Sequence, residues 1–143
     1  MTKHLHKIMF VELAILAFFM GLACYWLFIE PDVITVMNSE SIQLDKTSYK
    51  SGDRIIYTIS FCKTKDVPVT IYRALVDTYR IQYEEITVNL SKGCRTISVA
   101  DLAVPNFLGG DKHEYYIEAN NVLRVNPLRN QIVHWKSVPF TVE

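Results

Sequence analysis

Two histidines are the first side chains of this sequence to weigh for metal chemistry. His113 and His134 each lie in a stretch where apolar and polar residues alternate, as they do in strands. His113 is followed by Glu114, and because successive side chains of a strand point to opposite faces, these two do not converge on one ion. Neither histidine has a second ligand at the spacing of a metal site. We therefore interpret both as solvated strand histidines and expect no bound metal.

Three carboxylates, Asp77, Glu84 and Glu85, form the nearest approach to an acid–base cluster. Glu84 and Glu85 are adjacent and alternate faces, so a charged, solvated turn accounts for them more simply than a catalytic site. The sequence has no glycine-rich phosphate loop between a strand and a helix, and no nucleophile elbow. We expect a protein that is not an enzyme and that has neither cofactor nor small-molecule substrate.

Two of the three cysteines are placed to form a disulfide. Cys62 ends one predicted strand and Cys94 begins another, each on the polar face of its strand. If these are the second and fifth strands of a sandwich, which pair antiparallel, both thiols lie opposite each other within one sheet. Closing a loop of about 33 residues would stabilise the fold by about 3–4 kcal/mol, and an oxidising compartment would preserve the bond. The alternative is two unrelated thiols; Cys24 is interpreted as a small apolar filler.

Four tyrosines are candidates for a surface that binds a partner. A tyrosine contributes a large contact area with little loss of entropy, and this makes it common at interfaces. The alternative is that half of them are core residues or cross-strand pairs. The candidates are Tyr72, Tyr79, Tyr83 and Tyr116.

The elements that must position these residues come after one long apolar segment, Ile8–Ile29, whose one charged side chain is Glu12. As a helix rising about 1.5 Å per residue it would span about 33 Å, close to the roughly 30 Å of a bilayer's hydrocarbon core. Pro31 cannot continue a helix, so we expect the helix to end by Glu30. Trp26, near that end, suits the headgroup layer. The segment is predicted to be a membrane anchor.

Charge on either side of the segment predicts its orientation. Lys3 and Lys7 precede it without an acid, whereas Glu30 and Asp32 come after it and the next basic residue is Lys46. Positive charge stays in the cytoplasm, so the amino terminus is expected inside and the rest of the chain outside. Glu12 is a functional candidate as an intramembrane charge, although a carboxylate one turn from the interface can also reach water.

Two other processing routes remain open for this segment. Gly21-Leu22-Ala23 could be cut by signal peptidase, or Cys24 could be acylated as in a lipoprotein. Either would leave a strongly apolar new terminus, which favours the uncleaved anchor. Phe10-Val11-Glu12-Leu13 also resembles the start of a type IV pilin, but Lys7 stands where that family has a small residue, and Pro31 stops the helix too early.

Composition leaves room for one outer domain. From Glu30 onward the chain has 13 Lys and Arg against 14 Asp and Glu, and it has no basic stripe, so nucleic acid is not expected as a partner. We divide the chain into a cytoplasmic tail (1–7), a transmembrane helix (8–29), a short tether (30–40) and a β-sandwich (41–143).

Periodicity after the anchor is two-residue throughout, which predicts about seven short strands separated by turns. Turns are expected at Tyr49–Asp53, near Glu84-Glu85, at Ser91–Gly93, over Pro105–Gly110 and at Asn126–Asn130. The last strand, Gln131–Glu143, changes its apolar parity, which predicts a bulge near Ser137, and Pro139 suggests a sheet edge. The predicted inward positions include Ile55, Tyr57, Ile59, Phe61, Ile97, Val99, Tyr115, Ile117 and Ala119.

Two short runs carry a family resemblance. Asp45–Ile55 (DKTSYKSGDRI) resembles the junction of the first two strands in extracellular immunoglobulin-like, fibronectin-type and macroglobulin-type domains, and Ser137–Val142 (SVPFTV) is similar to their last strand. The resemblance implies an immunoglobulin-like β-sandwich and no particular activity.

Together these features predict a non-enzymatic, single-pass membrane protein. It would present its outer domain outside the cytoplasm, in the periplasm or extracellular space, to bind or tether a protein partner. The alternative is a structural subunit of a cell envelope or of a phage or virion membrane, in which the domain associates with copies of itself. The lipid bilayer is the other expected partner.

Overall fold

The computed structural model describes residues 2–36, 42–106, 108 and 113–143. In these ranges it contains one long helix followed by eleven strands in two sheets. The strands are β1 (Ile34–Val36), β2 (Gln43–Leu44), β3 (Ser48–Tyr49), β4 (Arg54–Lys63), β5 (Val69–Val76), β6 (Arg80–Gln82), β7 (Ile86–Val88), β8 (Gly93–Ala103), β9 (Glu114–Asn126), β10 (Arg129–Lys136) and β11 (Phe140–Val142).

The helix comprises α1 (Thr2–Cys24) and a π-helical continuation, Tyr25–Ile29. The helix begins at Thr2 and not at Ile8, so the described part of the predicted cytoplasmic tail (1–7) is also helical. At its other end Glu30 is extended, with φ −60° and ψ 125°, and its N–H donates to the Tyr25 carbonyl at 2.9 Å. The predicted end of the helix by Glu30 is confirmed.

The smaller sheet is built on β4, which contains four of the predicted inward positions. β8 pairs along one side of β4, and β1 and β2 share the other. Alternation along β4 buries the predicted inward side chains and leaves Thr58 and Ser60 on the other face. Gly52, in the turn before this strand, has φ 84°, a conformation that glycine adopts without strain, as predicted for this turn.

The larger sheet is built on β9, which pairs with β5 on one side and with β10 and β11 on the other. β6 and β7 pair with the far side of β5, separated by the predicted break around Glu84-Glu85. β3 pairs in parallel with β11. Inward side chains of both sheets form a single apolar core, which includes Phe61 from the smaller sheet and Ile117 and Trp135 from the larger.

The predicted last strand is divided by a bulge at the predicted place. Between the pairs Lys136–Glu118 and Phe140–Tyr115 the chain advances four residues while β9 advances three. Ser137 fills the gap, because its Oγ accepts from the Ile117 N–H at 2.8 Å and its own N–H donates to the Ile117 carbonyl at 2.9 Å. Splitting of this and other segments raises the strand count above the predicted seven.

The edge suggested by Pro139 is a wrong prediction for this end of the chain. β11, directly after Pro139, pairs with β9 on one side and β3 on the other. Among the described residues, the part of the predicted last strand that does lie at an edge is β10, which pairs with β9 alone.

The helix joins one end of the two sheets, which we call the helix-proximal end (residues 30–34, 62–68, 89–95 and 124–131). The strand pairings bring these segments together: Ile34 pairs with Lys63, Lys63 with Gly93, and Val69 with Leu123. The opposite end, which we call the far end, holds β3, β11 and the start of β9.

The segment predicted as a tether, 30–40, contains β1 where it is described. Val33 is fully buried and Ile34 is 4% exposed, so both belong to the core. Residues 37–40 of that segment lie outside the described residues, as do residues 107, 109 and 110 of the predicted Pro105–Gly110 loop.

Candidate functional site

The predicted disulfide is present. Cys62 and Cys94 are bonded and form a directly opposed pair of β4 and β8 within the smaller sheet. The next pairs on the same face are polar, as expected: the hydroxyls of Ser60 and Thr96 lie 2.7 Å apart, and those of Thr58 and Ser98 2.8 Å apart. Cys24, at the end of α1, is free and exposed.

The four candidate tyrosines do not lie on one surface. Tyr72 on β5 and Tyr116 on β9 point to the outer face of the larger sheet, where Tyr72 is opposite Asn120 and Tyr116 is opposite Val76. Tyr79 is 80% exposed in the turn between β5 and β6. The structure therefore brings Tyr72 and Tyr116 to the same face and places Tyr79 at its margin.

Tyr83 belongs to the interior side instead. It packs against the core, and its hydroxyl donates to the Ala103 carbonyl of β8 at 2.7 Å. Burial raises the pKa of Tyr83 to about 12. Its contact joins the two sheets, which agrees with the alternative interpretation of some tyrosines as core residues.

The outer face of the larger sheet mixes aromatic and charged side chains. The Lys136 ammonium lies 3.7 Å from the centre of the Tyr116 ring, a cation–π contact. Arg80 and Glu118 form an ion pair at 2.6 Å between the two tyrosines. The charge of Glu85 and its hydrogen bond raise the pKa of Tyr72. This face can offer stacking, hydrogen bonds and charges of both signs to a partner.

The histidines and carboxylates of the sequence do not converge. His113 Nδ1 lies 3.7 Å from an Asp77 oxygen, and His134 contacts Asn120. Glu85 is hydrogen-bonded to Tyr72. Across the described residues, no group of three or more His, Cys, Asp or Glu could hold a metal ion.

A buried arginine, Arg73, was not singled out from the sequence. It lies on the inward face of β5, is 5% exposed, and forms an ion pair with Asp101 of β8. The same carboxylate accepts from the Tyr57 hydroxyl at 3.3 Å, and Arg73 also donates to the Glu84 carbonyl at 3.3 Å. The sequence signal for this residue was a single charge at an inward, otherwise apolar position of a strand. In the structure the ion pair of Arg73 with Asp101 links the two sheets.

Lys63 is a second buried cation that carried the same signal, because it continues the inward face of β4. It is 3% exposed, and its Nζ donates to the backbone carbonyls of Val67 and, at 2.6 Å, Leu90. Burial lowers the pKa of Lys63. The ammonium thus closes the helix-proximal end of the core with backbone carbonyls as its acceptors.

Glu30, the first residue after the helix, is the centre of the junction between helix and sheets. Its carboxylate pairs with Lys65 and accepts from Asn126 Nδ2 at 2.5 Å, and its carbonyl accepts from Arg129 at 2.6 Å. The hydrogen bond from Lys65 is the main cause that lowers the pKa of Glu30. Asn126 Nδ2 also donates to the Trp26 carbonyl at 2.8 Å.

Gln131 completes the junction from β10. Its Oε1 accepts from the N–H groups of Val33 and Ile34 at 2.8 and 3.0 Å, and its Nε2 donates to the Ile34 carbonyl at 2.7 Å. The side chain therefore satisfies the backbone of β1 as a neighbouring strand would. No periodicity in the sequence signals this role.

The helix contains the other predicted residues. One stretch of the described chain, His6–Ile29, is long and apolar enough to cross a membrane, and no residue of its most apolar part is buried by the rest of the protein. Ile8, Glu12 and Ile29 are exposed and Trp26 is half-buried.

Comparisons with known proteins add little to this geometry. No protein-family model and no curated protein matches the sequence. Among solved structures, the Pseudomonas fluorescens alkylpurine DNA glycosylase AlkC bound to DNA containing an abasic site analog has 7% identity and a TM-score of 0.43, over 79% of this chain and 31% of that one. Spo0M, a sporulation control protein from Bacillus subtilis, has 12% identity and a TM-score of 0.36, over 79% of this chain and 50% of that one. At these values neither similarity supports a functional argument.

Proposed function

We propose that this chain is a single-pass membrane protein that presents an immunoglobulin-like β-sandwich outside the cytoplasm to a protein partner. One observation carries the proposal: the helix His6–Ile29 is long and apolar enough to cross a membrane, and no residue of its most apolar part is buried by the rest of the chain. Phe10 and Phe28, near its two ends, are 76% and 80% exposed. A lipid bilayer covers such a surface, whereas water would have to solvate it.

Strand order supports the immunoglobulin-like architecture. One sheet holds β4 and β8, and the other holds β5, β9, β10 and β11 around a shared core. The chain passes from β2 in the smaller sheet to β3 in the larger sheet, where β3 pairs in parallel with the last strand, β11. This arrangement of two sheets resembles that of immunoglobulin-like sandwiches.

The outer face of the larger sheet is the partner surface that we favour. It combines Tyr72 and Tyr116 with the Arg80–Glu118 ion pair and Lys136, and tyrosine and arginine are the residue types that most often contribute to binding. Because Glu30 and Asn126 hold the domain against the helix, this face would be presented at a fixed angle to the membrane and not on a loose tether.

Topology is tested by expressing the full chain and exposing intact cells or spheroplasts to protease. The domain is expected to be accessible from outside, and a tag before Thr2 is expected to be protected. The product should resist alkaline extraction and retain its amino-terminal residues. Protection of the domain, or a mature chain starting at Cys24, would overturn the proposal.

Partner binding is tested by placing a photo-crosslinking residue at Tyr72 or Tyr116, with Thr96 as the control because it is exposed on the outer face of the smaller sheet. Adducts to a different protein from the first two positions, but not from Thr96, would support the proposed partner. Adducts to a second copy of the chain would instead support the structural-subunit alternative. Equal labelling at all three positions would contradict the assignment of the face.

A further inference from the structure

The turn between β9 and β10 lies directly against the end of the helix. Asn126 begins the turn and donates to the carbonyl of Trp26, which is within the last apolar residues of the helix. Arg129 ends the turn and donates to the Glu30 carbonyl. If the helix spans a bilayer, as we propose, these bonds place the tip of the turn at the depth of the lipid headgroups.

The tip of this turn carries an apolar side chain beside arginines. Leu128, at the tip, is 52% exposed. Arg124 is also exposed and bends over the turn, donating to the carbonyls of Asn126 and Pro127 at 3.3 Å each. An open depression of about 290 Å³ lies here, lined by Arg124, Pro127, Leu128, Arg129 and Asn130.

The turn is rigid before any partner binds. The Asn126 side-chain oxygen accepts from the N–H groups of Leu128 and Arg129, both at 2.9 Å. Its amide nitrogen is bonded to the helix end, so a single side chain fixes both the shape of the turn and its place beside the helix. Little conformational entropy remains to be lost on contact with a surface.

Charge at the helix-proximal end matches a phosphate-bearing surface. The outer domain as a whole has one more acid than base, whereas the surface of this end has five bases and three acids among its described residues. Basic residues near anionic lipid each contribute about 1 kcal/mol of attraction. The bases are Lys65, Lys92, Arg95, Arg124 and Arg129, and the acids are Glu30, Asp32 and Asp66.

We propose that the β9–β10 turn is a second membrane contact, in which Leu128 enters the headgroup layer and Arg124 binds lipid phosphate. The proposal rests on the proposed anchor, since only a spanning helix brings the turn to the bilayer. The proposed ligand of the turn is the phospholipid surface, whereas the proposed ligand of the outer face of the larger sheet is a protein. An apolar side chain with adjacent arginines is the combination that interfacial segments use.

The test places a fluorescent NBD label on single cysteines of the full chain in vesicles of phosphatidylcholine and phosphatidylglycerol. Cys24→Ala removes the free thiol, and the labels are attached after Leu128→Cys, Val138→Cys or Leu16→Cys. Val138 is the matched control, because it is also 52% exposed but lies toward the far end. Leu16 reports on the helix itself.

We expect the label at residue 128 to be quenched by headgroup-region nitroxide lipids and the label at 138 to remain in water. Arg124→Gln should shift the label at 128 toward water by about fivefold in the equilibrium. Quenching at 16 without quenching at 128 would overturn the membrane contact and leave the anchor intact. Absence of quenching at 16 would overturn both.

Discussion

The far end and the helix-proximal end of the two-sheet domain are closed by different kinds of interaction. At the far end Phe140 packs edge-to-face on Tyr49, with ring centres 5.1 Å apart, and contacts Tyr115 at 6.3 Å. All three side chains are buried. At the helix-proximal end the contacts are a disulfide, the buried ammonium of Lys63 and the hydrogen bonds of Gln131.

The two ends therefore differ in what they can specify. Aromatic burial contributes stability largely in proportion to the area that is buried, so the far end holds β3, β9 and β11 of the larger sheet together. Hydrogen bonds and ion pairs depend on distance and angle, so the helix-proximal end also sets how the sheets stand on the helix. An end that must hold a fixed orientation to the helix benefits from directional contacts, and an end that points away from the helix does not need them.

Among changes at the two ends, removal of the disulfide is expected to lower the free energy of unfolding the most. The variant Cys62→Ala with Cys94→Ala should lower the free energy of unfolding by about 3–4 kcal/mol, because the unfolded chain regains the entropy of an open loop. Urea unfolding of the full chain in mild detergent, followed by tryptophan fluorescence, measures it. The matched control is Ser60→Ala with Thr96→Ala on the same face of the same strands, expected to cost under about 1 kcal/mol. Equal losses in both variants would show that packing, not the crosslink, holds this end.

The buried pair of Arg73 and Asp101 provides the next largest effect. Asp101→Asn should destabilise the domain by about 2–3 kcal/mol, since it leaves a buried guanidinium without its counter-charge; the figure is reduced from that of a fully buried pair because Asp101 is 36% exposed. The same urea titration measures the loss. Glu118→Gln breaks the exposed Arg80–Glu118 pair and should cost no more than about 0.5 kcal/mol. A loss for Asp101→Asn as small as that control would mean that water, and not Asp101, satisfies Arg73.

The strand interiors and the bulge near Ser137 could be predicted from the sequence because they depend on local patterns. Alternation in Arg54–Lys63 and the parity change near Ser137 are each set by burial of one strand face, and that is visible in a single stretch of residues. The Cys62–Cys94 bond was also predictable once the two strands were assumed to pair. The parity rule even marked Lys63 and Arg73, although it did not say what would contact them.

The helix-proximal end could not be predicted in the same way. Gln131 contacts Ile34, 97 residues away in sequence, and Asn126 contacts Trp26 across 100 residues. No periodicity encodes which side chain will meet which backbone group once the sheets have formed. The sequence predicts a tether where β1 is found for a related reason. β1 has only three residues, and three residues are too few for alternation of apolar and polar side chains to indicate a strand.

Removal of the Gln131 contacts tests whether directional bonds fix the helix-proximal end. Gln131→Ala should lower stability by about 1–2 kcal/mol, because three backbone groups of β1 lose their partner. Hydrogen exchange at the amides of Val33 and Ile34 should accelerate more than exchange at the amides of β9. Gln82→Ala, at an exposed position on β6, is the control and should change neither quantity. Unchanged protection of Val33 and Ile34 in Gln131→Ala would show that core packing alone holds β1.

The smallest effect concerns Lys63 and appears as a dependence on pH. Because burial lowers its pKa from 10.5, the native protein releases this proton at a lower pH than the unfolded chain does. The unfolded state then binds more protons, so the contribution of Lys63 to the free energy of unfolding rises with pH up to about 10.5. Lys63→Met keeps the side-chain length and lacks this rise, and it should lie within about 1 kcal/mol of the unmodified protein at neutral pH.

Unfolding in urea at several values between about pH 8 and about pH 10 measures this dependence, with Lys92→Met as an exposed control on the same end. Raised tyrosine pKa values pull stability the other way above about pH 10, but they act equally in all three proteins and cancel in the difference. As pH rises, the free energy of unfolding of the unmodified protein should increase relative to that of Lys63→Met. The difference between the unmodified protein and Lys92→Met should stay constant. Parallel curves for all three would mean that the ammonium of Lys63 is as well solvated by the carbonyls of Val67 and Leu90 as by water, and that this end tolerates a buried charge without loss.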